Sequence, residues 1–298
     1  LYKLFPYVSK LYPKFIKQEL NFDMVFPSPI SDDYKNTVCW IPDFQDKRLP
    51  DFFSISELDA RTAQHREYAS KAKSIIFSSK SVLADFNHFY PEYNISKNVV
   101  RFAVFNDIDN LPSFADIKKK YSLPYAYFYC PNQFWVHKNH AVVIKALSEL
   151  VGKHKNICLV FSGKEHDHRA PKYLEDLKKL TEDLKLSNNV MFLGFLPRND
   201  QLAIMKNARL VIQPSLFEGW STVIEDAKSM SQYVLASDID THQEQLLENG
   251  ELFPANDYQV LSGLMEKYVS VEPPRLKLDY TVNQRQFAKD FIKVIDNI

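Results

Sequence analysis

The stretch from Leu210 to Asp238, LVIQPSLFEGWSTVIEDAKSMSQYVLASD, constrains the fold of this chain more than any other. Leu210-Val211-Ile212 is an unbroken apolar run, which predicts a strand covered on both faces and hence a parallel sheet. Pro214 ends the run, and Glu218-Gly219 follows as a sharp polar turn. Thr222-Val223-Ile224-Glu225 has the spacing of a capping box, so a helix is expected to begin there. Tyr233 to Ala236 supplies the next strand. Strand, loop, helix and strand make a βαβ unit, and open α/β sheets bind ligands at the carboxyl ends of their strands. Position alone makes Glu218 a candidate site residue.

The rest of the chain repeats this alternation. Residues 22–30, Thr37–Ile41, Ser74–Ser78 and Asn98–Phe105 read as strands. Ser54–Lys73, with its Ser-Ile-Ser-Glu start, and Ser81–Phe89 read as helices. Residues 106–122 carry Pro112, many charges and little apolar period, and are expected to be an interdomain linker. Tyr125–Tyr129, Asn156–Phe161 and Val190–Leu193 are expected strands. Lys138–Val151, Pro171–Leu186, Asn199–Lys206 and Tyr258–Val269 are expected helices. The last helix, Thr281–Ile298, sets Phe287, Phe291, Val294, Ile295 and Ile298 on one face. Three units follow from this reading: a first domain at 1–105, a second at 123–280, and a terminal helix at 281–298 able to cross back to the first.

SLFEGWSTVIEDAKSM resembles the acidic signature of the family 4 retaining glycosyltransferases, which have the GT-B fold of two Rossmann-like α/β domains facing across a cleft. In that signature a Glu-Gly pair opens the motif and a second Glu closes it eight positions later; counting from Glu218 lands on Asp226. SDIDTHQEQ at 237–245 is similar to the family's Ser-Asp-Ile-Pro-x-His-x-Glu segment, with Asp240 where Pro is usual. The resemblance implies that Glu218 faces the transferred sugar and its developing charge, and that Asp226 holds the nucleotide ribose. Asp is one methylene shorter than Glu, about 1.5 Å of reach. Glu225 is an alternative, although a cap explains it better. Gly219, Trp220, Ser221 and Thr222 form the turn and helix start whose N–H groups are expected to meet phosphate.

CPNQFWVHKNH at 130–140 resembles the family's donor-diphosphate loop. Lys138 falls on the Lys that flanks the phosphates, and helix starts favour anions. Asn132 falls where many members carry Arg. A charge-assisted hydrogen bond contributes about 1.5–3 kcal/mol against about 1 kcal/mol for a neutral one, so that contact is weakened. Gly163, at the end of the next strand, completes the expected donor-binding set. Family members often carry His after the strand equivalent to Thr37–Ile41. Here PDFQD offers Asp46 as a sugar-side catalytic candidate, with Asp43 as an alternative and a plain turn as the other reading.

Lys plus Arg and Asp plus Glu both total 37, and so even a balance argues against a nucleic-acid partner. The odd, scattered cysteines Cys39, Cys130 and Cys158 fit neither a disulfide framework nor a zinc site and point to a reducing, cytoplasmic setting. No apolar stretch approaches the roughly 20 residues of a membrane span. Residues 1–19 are aromatic and basic, which suits either a packed domain helix or peripheral contact with an anionic membrane. No glycine precedes Gly152, whereas a GT-B first domain opens on a glycine-rich loop. The first domain is therefore expected to be incomplete. Two Asp-x-Asp triplets, at 107–109 and 238–240, are read as coincidental, and Glu165-His166-Asp167-His168 as a polar loop. No metal or cofactor is expected. His137, His140 and His242 lie near the loops as acid or base candidates. The resemblance implies a nucleotide-sugar donor, a glycan or lipid-linked glycan acceptor, and metal-independent transfer with retention. The alternatives are a non-catalytic GT-B-like subunit and a nucleotide-sugar epimerase.

Overall fold

The computed structural model of the chain describes Met24, Phe26, Pro27, Ile30 and residues 36–298 apart from 155 and 247. The amphipathic segment at 1–19 and most of the strand expected at 22–30 lie outside the described residues.

Two parallel sheets organise the described chain. The first has the order β1-β2-β3, from β1 (Val38–Ile41), β2 (Ser74–Phe77) and β3 (Ser96–Val99). Val38 pairs with Ser74, and Ser74 with Ser96. Between these strands lie α1 (Gln45–Arg48), α2 (Ile55–Lys71) and α3 (Lys80–Phe89). The capping box expected at α2 is present: Ser54 Oγ accepts from the Glu57 amide while the Glu57 carboxylate accepts from the Ser54 amide. β3 ends at Val99, short of the expected Phe105, because its pairing with β2 stops there. Residues 100–113 then run without a strand or helix.

The 106–122 segment is not a bare linker. Ser113 caps α4 (Phe114–Tyr121), which buries Ile117 in the core of the second sheet. That sheet has six strands: β4 (Phe128–Cys130), β5 (Leu159–Phe161), β6 (Val190–Phe192), β7 (Leu210–Gln213), β8 (Val234–Ser237) and β9 (Gly250–Phe253). Their order is β6-β5-β4-β7-β8-β9, all parallel. The chain order reverses between β4 and β7, the place where doubly wound sheets open a crevice at their carboxyl ends.

Alternation along the strands fills both faces. Phe128 and Cys130 pack with α5 (His140–Val151), α6 (Tyr173–Asp183) and α10 (Tyr258–Ser270). Tyr127 and Tyr129 pack on the other side with α7 (Arg198–Asn207) and α8 (Thr222–Ser229). A short helix, α9 (Asp240–Gln245), follows β8. The last helix, α11 (Thr281–Asp296), returns to the first sheet, where Phe287, Phe291 and Val294 pack with Val38, Ile76 and Val100. Ile295, expected on that face, is 46% exposed. Among the described residues no helix is long and apolar enough to cross a membrane.

Candidate active site

The loops after β4 and β7 stand on either side of the crevice. Lys138 ends a single 3-10 turn, Val136–Lys138, and α5 begins only at His140 after Asn139 adopts a left-handed φ of 51°. The Leu216 amide donates to the His137 carbonyl at 2.8 Å, which ties the two loops together. As a result Lys138 Nζ meets Glu218 Oε1 at 2.5 Å, with both side chains largely buried. Gln213 Nε2 (2.8 Å) and Ser215 Oγ (2.7 Å) donate to the same oxygen. Burial pushes the Glu218 carboxyl up, but the Lys138 ammonium and its hydrogen bonds more than offset it and hold the group below the usual carboxylate range.

A cavity of about 350 Å³ opens beside this pair, lined by Lys138, Lys164, Arg198, Gly163, Thr222 and Asp226 among others. Gly163 is required there because a Cβ would lie 2.1 Å from the Asn132 carbonyl oxygen. Lys164 follows β5 and Arg198 opens α7. Sequence reasoning misses both: Lys164 carries the signal of a cation just past the carboxyl end of a parallel strand, whereas Arg198, well beyond β6, does not. Arg198 Nη2 pairs with Asp226 Oδ1, which also accepts from Asn106 Nδ2 at 2.9 Å. Phe195, 80% exposed, forms part of the rim.

Several expected contacts fall elsewhere. Asn132 is buried, and its amide donates inward to Gln213 Oε1 at 2.8 Å, so it orients the glutamine that holds Glu218 while also lining the cavity. The first amide of α5, from His140, is taken by Tyr173 OH at 3.2 Å. Ser221 is the N-cap of α8 in place of the expected Thr222, and its own amide donates to Gln245 Oε1 at 3.0 Å. Trp220 donates from Nε1 to the Phe102 carbonyl at 3.1 Å and lies under Arg101, which makes it an anchor for the crossing segment. Gly219 abuts the first domain, where a Cβ would meet the Pro42 carbonyl oxygen at 2.1 Å. Only Thr222 of that turn lines the cavity. Glu225 is no cap: Lys228, Gln245 and Tyr280 surround its buried carboxylate.

Asp46, expected on the sugar side, is buried and lines none of the cavities at the crevice. It is 1% exposed, neither carboxylate oxygen has a hydrogen-bond partner, and Lys47 and Arg61 stand 3.9 Å away. Burial raises its carboxyl above the usual range. Burial raises the Asp43 carboxyl too, and the charges of Asp46 and Glu218 add to it. Burial holds His137 and His140 down at about 3 and His242 at about 4, so all three rings are neutral near pH 7. None of Cys39, Cys130 and Cys158 forms a disulfide. Among the described residues no three His, Cys, Asp or Glu side chains are grouped to hold a metal ion.

The family description "Glycosyl transferases group 1" matches residues 114–285, more than half of the chain and the whole of the second sheet. The chain belongs to this glycosyltransferase family. Curated relatives include the serotype-specific mannosyltransferase WbdA of Escherichia coli, 28% identical over 158 residues that cover 52% of this chain and 19% of that protein. Protein CapJ of Staphylococcus aureus is 34% identical over 137 residues, 45% of this chain and 32% of that protein. The chain thus spans less than a third of the length of these relatives. Anabaena Alr3699/HepE, solved in complex with UDP and glucose, superposes with a TM-score of 0.71 at 18% identity over 88% of this chain and 70% of that one. WaaG, a glycosyltransferase involved in lipopolysaccharide biosynthesis, gives 0.67 at 17% identity over 95% and 77%. These likenesses establish the fold as GT-B, with two parallel-sheet units related as the sequence resemblance implied.

Proposed function

We propose that the chain transfers a sugar from a nucleoside-diphosphate sugar to an acceptor hydroxyl, with retention of configuration and without a metal ion. The observation that carries this reading is the Lys138–Glu218 pair at the β4/β7 crevice, beside a cavity that also presents Lys164 and Arg198. Three cations around one cavity can offset the charge of a leaving diphosphate, the task a divalent ion performs elsewhere. Lys138 is the diphosphate partner, Glu218 orients the sugar through its hydroxyls, and Thr222 at the start of α8 meets a phosphate oxygen. Arg198 and Asp226 hold the ribose side, with Phe195 at the rim beside the base. A UDP-linked donor is one candidate class, in keeping with the ligands of the Anabaena protein; a mannosyl donor is another, in keeping with the E. coli relatives. Any acceptor glycan approaches from the first-sheet side.

The test is release of nucleoside diphosphate from a panel of UDP- and GDP-sugars, run with and without EDTA. Turnover that survives EDTA is expected, with the anomeric configuration of the product read by NMR. Failure to bind or turn over any donor, or loss of turnover in EDTA restored by a divalent ion, would overturn the corresponding part of the proposal.

A further inference from the structure

A second cavity, of about 380 Å³, lies on the other side of the Lys138–Glu218 pair. Both units build it: Arg48 of α1 and Asp85 of α3 from the first, Phe217, Glu218, Asp238 and Asp240 from the second. Glu218 lines this cavity while its partner Lys138 lines the first one, so the ion pair is a partition between the two. We infer that this second cavity receives the acceptor and selects an uncharged, hydroxyl-bearing glycosyl unit, with Asp240 as a specificity-determining residue. The inference rests on the donor reading of the first cavity.

Its chemistry follows from the charges. Arg48 donates from Nε to Asp85 Oδ1 at 3.0 Å, so that guanidinium already has its anion. Asp238 accepts from Gln243 Nε2 at 2.7 Å. Asp240 is exposed at the start of α9; among the described residues no side chain hydrogen-bonds to it, and its charge acts at longer range on the Arg48 guanidinium across the cavity. One guanidinium against Asp85, Asp238 and Asp240 leaves the walls net negative. Such a wall repels a phosphorylated or carboxylated acceptor and accepts hydrogen bonds from hydroxyls. Leu49, Val82, Leu216, Phe217 and Ile239 supply the apolar surface on which the C–H face of a sugar ring can rest. The volume lies at the low end of the roughly 300–1,000 Å³ of small-molecule sites, which suits the terminal rings of a glycan.

The partition also accounts for the order of events. A diphosphate in the first cavity draws Lys138 away from Glu218 and opens the way between the cavities. The acceptor oxygen then bonds to the anomeric carbon, the bond from that carbon to the phosphate oxygen breaks, and the hydroxyl proton leaves with the departing diphosphate.

The experiment first measures UDP and GDP binding by calorimetry. It then follows transfer at saturating donor to neutral p-nitrophenyl hexosides and to p-nitrophenyl glucuronide, for the wild type, Asp240→Ala and Asp240→Lys. The wild type is expected to use at least one neutral hexoside and to use the glucuronide at least tenfold less efficiently. Asp240→Ala is expected to raise the acceptor KM at least tenfold with the donor KM within twofold, and Asp240→Lys to narrow the gap between neutral and anionic acceptors. Equal use of the glucuronide by the wild type, an acceptor KM within twofold in Asp240→Ala, or donor turnover without transfer to any neutral hexoside would overturn the inference. Absence of nucleotide binding would instead refute the donor reading and take this inference with it.

Discussion

Replacing Lys138 by Met separates what the ion pair does for stability from what it does for chemistry. Glu218 would keep Gln213 and Ser215 as neutral donors but lose its cation, with only 11% of its side chain exposed. Removing one partner of a fully buried pair costs about 3–5 kcal/mol, and losing a charged hydrogen bond about 1.5–3 kcal/mol. The two remaining donors place this site near 2–3 kcal/mol, which corresponds to a fall in Tm of about 5–10 °C for a unit of this size. Glu218→Gln combined with Lys138→Met removes the stranded charge, so the double variant should regain at least 1 kcal/mol over the sum of the singles, a coupling typical of contacting residues. Turnover should not recover: loss of a positioned charged donor at a leaving group lowers kcat by about 10²–10³ in both Lys138→Met and the double variant. Because the folded Glu218 sits below its ordinary value of 4.5, its contribution is present above pH 4.5 and is lost as pH falls through the folded value. The stability gap between wild type and Glu218→Gln should therefore close on acidification. Thermal melts from pH 3 to 8 and donor-release kinetics measure both sides. Strict additivity of the single variants, or wild-type kcat in Lys138→Met, would refute the reasoning.

Asp46→Asn should raise Tm at pH 7, because a buried carboxylate with no hydrogen-bond partner is replaced by a neutral amide. Since burial raises the folded carboxyl above 3.8, the gain belongs to the pH range where the unfolded Asp is ionised and should vanish below about pH 3.8 in the same melts; kcat/KM should stay near wild type. Arg198→Ala should raise the donor KM roughly 10- to 100-fold, the value of one charge-assisted contact, with kcat less affected in initial-rate kinetics. Gly219→Ala forces a Cβ against the Pro42 carbonyl oxygen and should lower kcat about 100-fold by parting the two units at the reacting centre. Glu244→Gln weakens the carboxylate that accepts from the Lys80 and Ser81 amides and pairs with Arg101. A larger radius of gyration in solution scattering is the expected result.

The architecture was largely legible because its signals are local. Apolar runs such as Leu210–Ile212 mark buried strands, and Ser54 with Glu57 marks a helix start within four residues. The errors fall where tertiary partners decide. Phe114–Tyr121 is short and lysine-rich, and it becomes a helix through the Ser113 cap and the burial of Ile117 in the second core. Glu225 has the sequence position of a cap, yet Tyr280, far along the chain, claims its carboxylate. Asp46 and Asp43 are three residues apart in one loop, and only packing decides which of them senses Glu218. The positions of Lys138 and Glu218 were readable for a different reason. Each follows a strand bordering the topological switch, so strand order brings them together whatever the loops do in detail.

In the proposed reaction, donor binding rearranges the charges of this site. Lys138 is neutralised by Glu218 and Arg198 by Asp226, so neither cation stands unpaired before a ligand arrives. A diphosphate carries enough negative charge to replace both carboxylates as partners, and charge-assisted bonds of similar type replace those that break. The net gain for binding is then smaller than two new ion pairs would imply, since two old ones are lost. In the proposed reaction the exchange leaves the Glu218 carboxylate without its cation, held by Gln213 and Ser215 at the boundary of the second cavity. On that reading its charge is uncompensated once a donor is bound, beside the carbon that turns positive as the diphosphate leaves. In the proposed reaction the Lys138 counterion thus withholds the catalytic field of Glu218 until a donor binds.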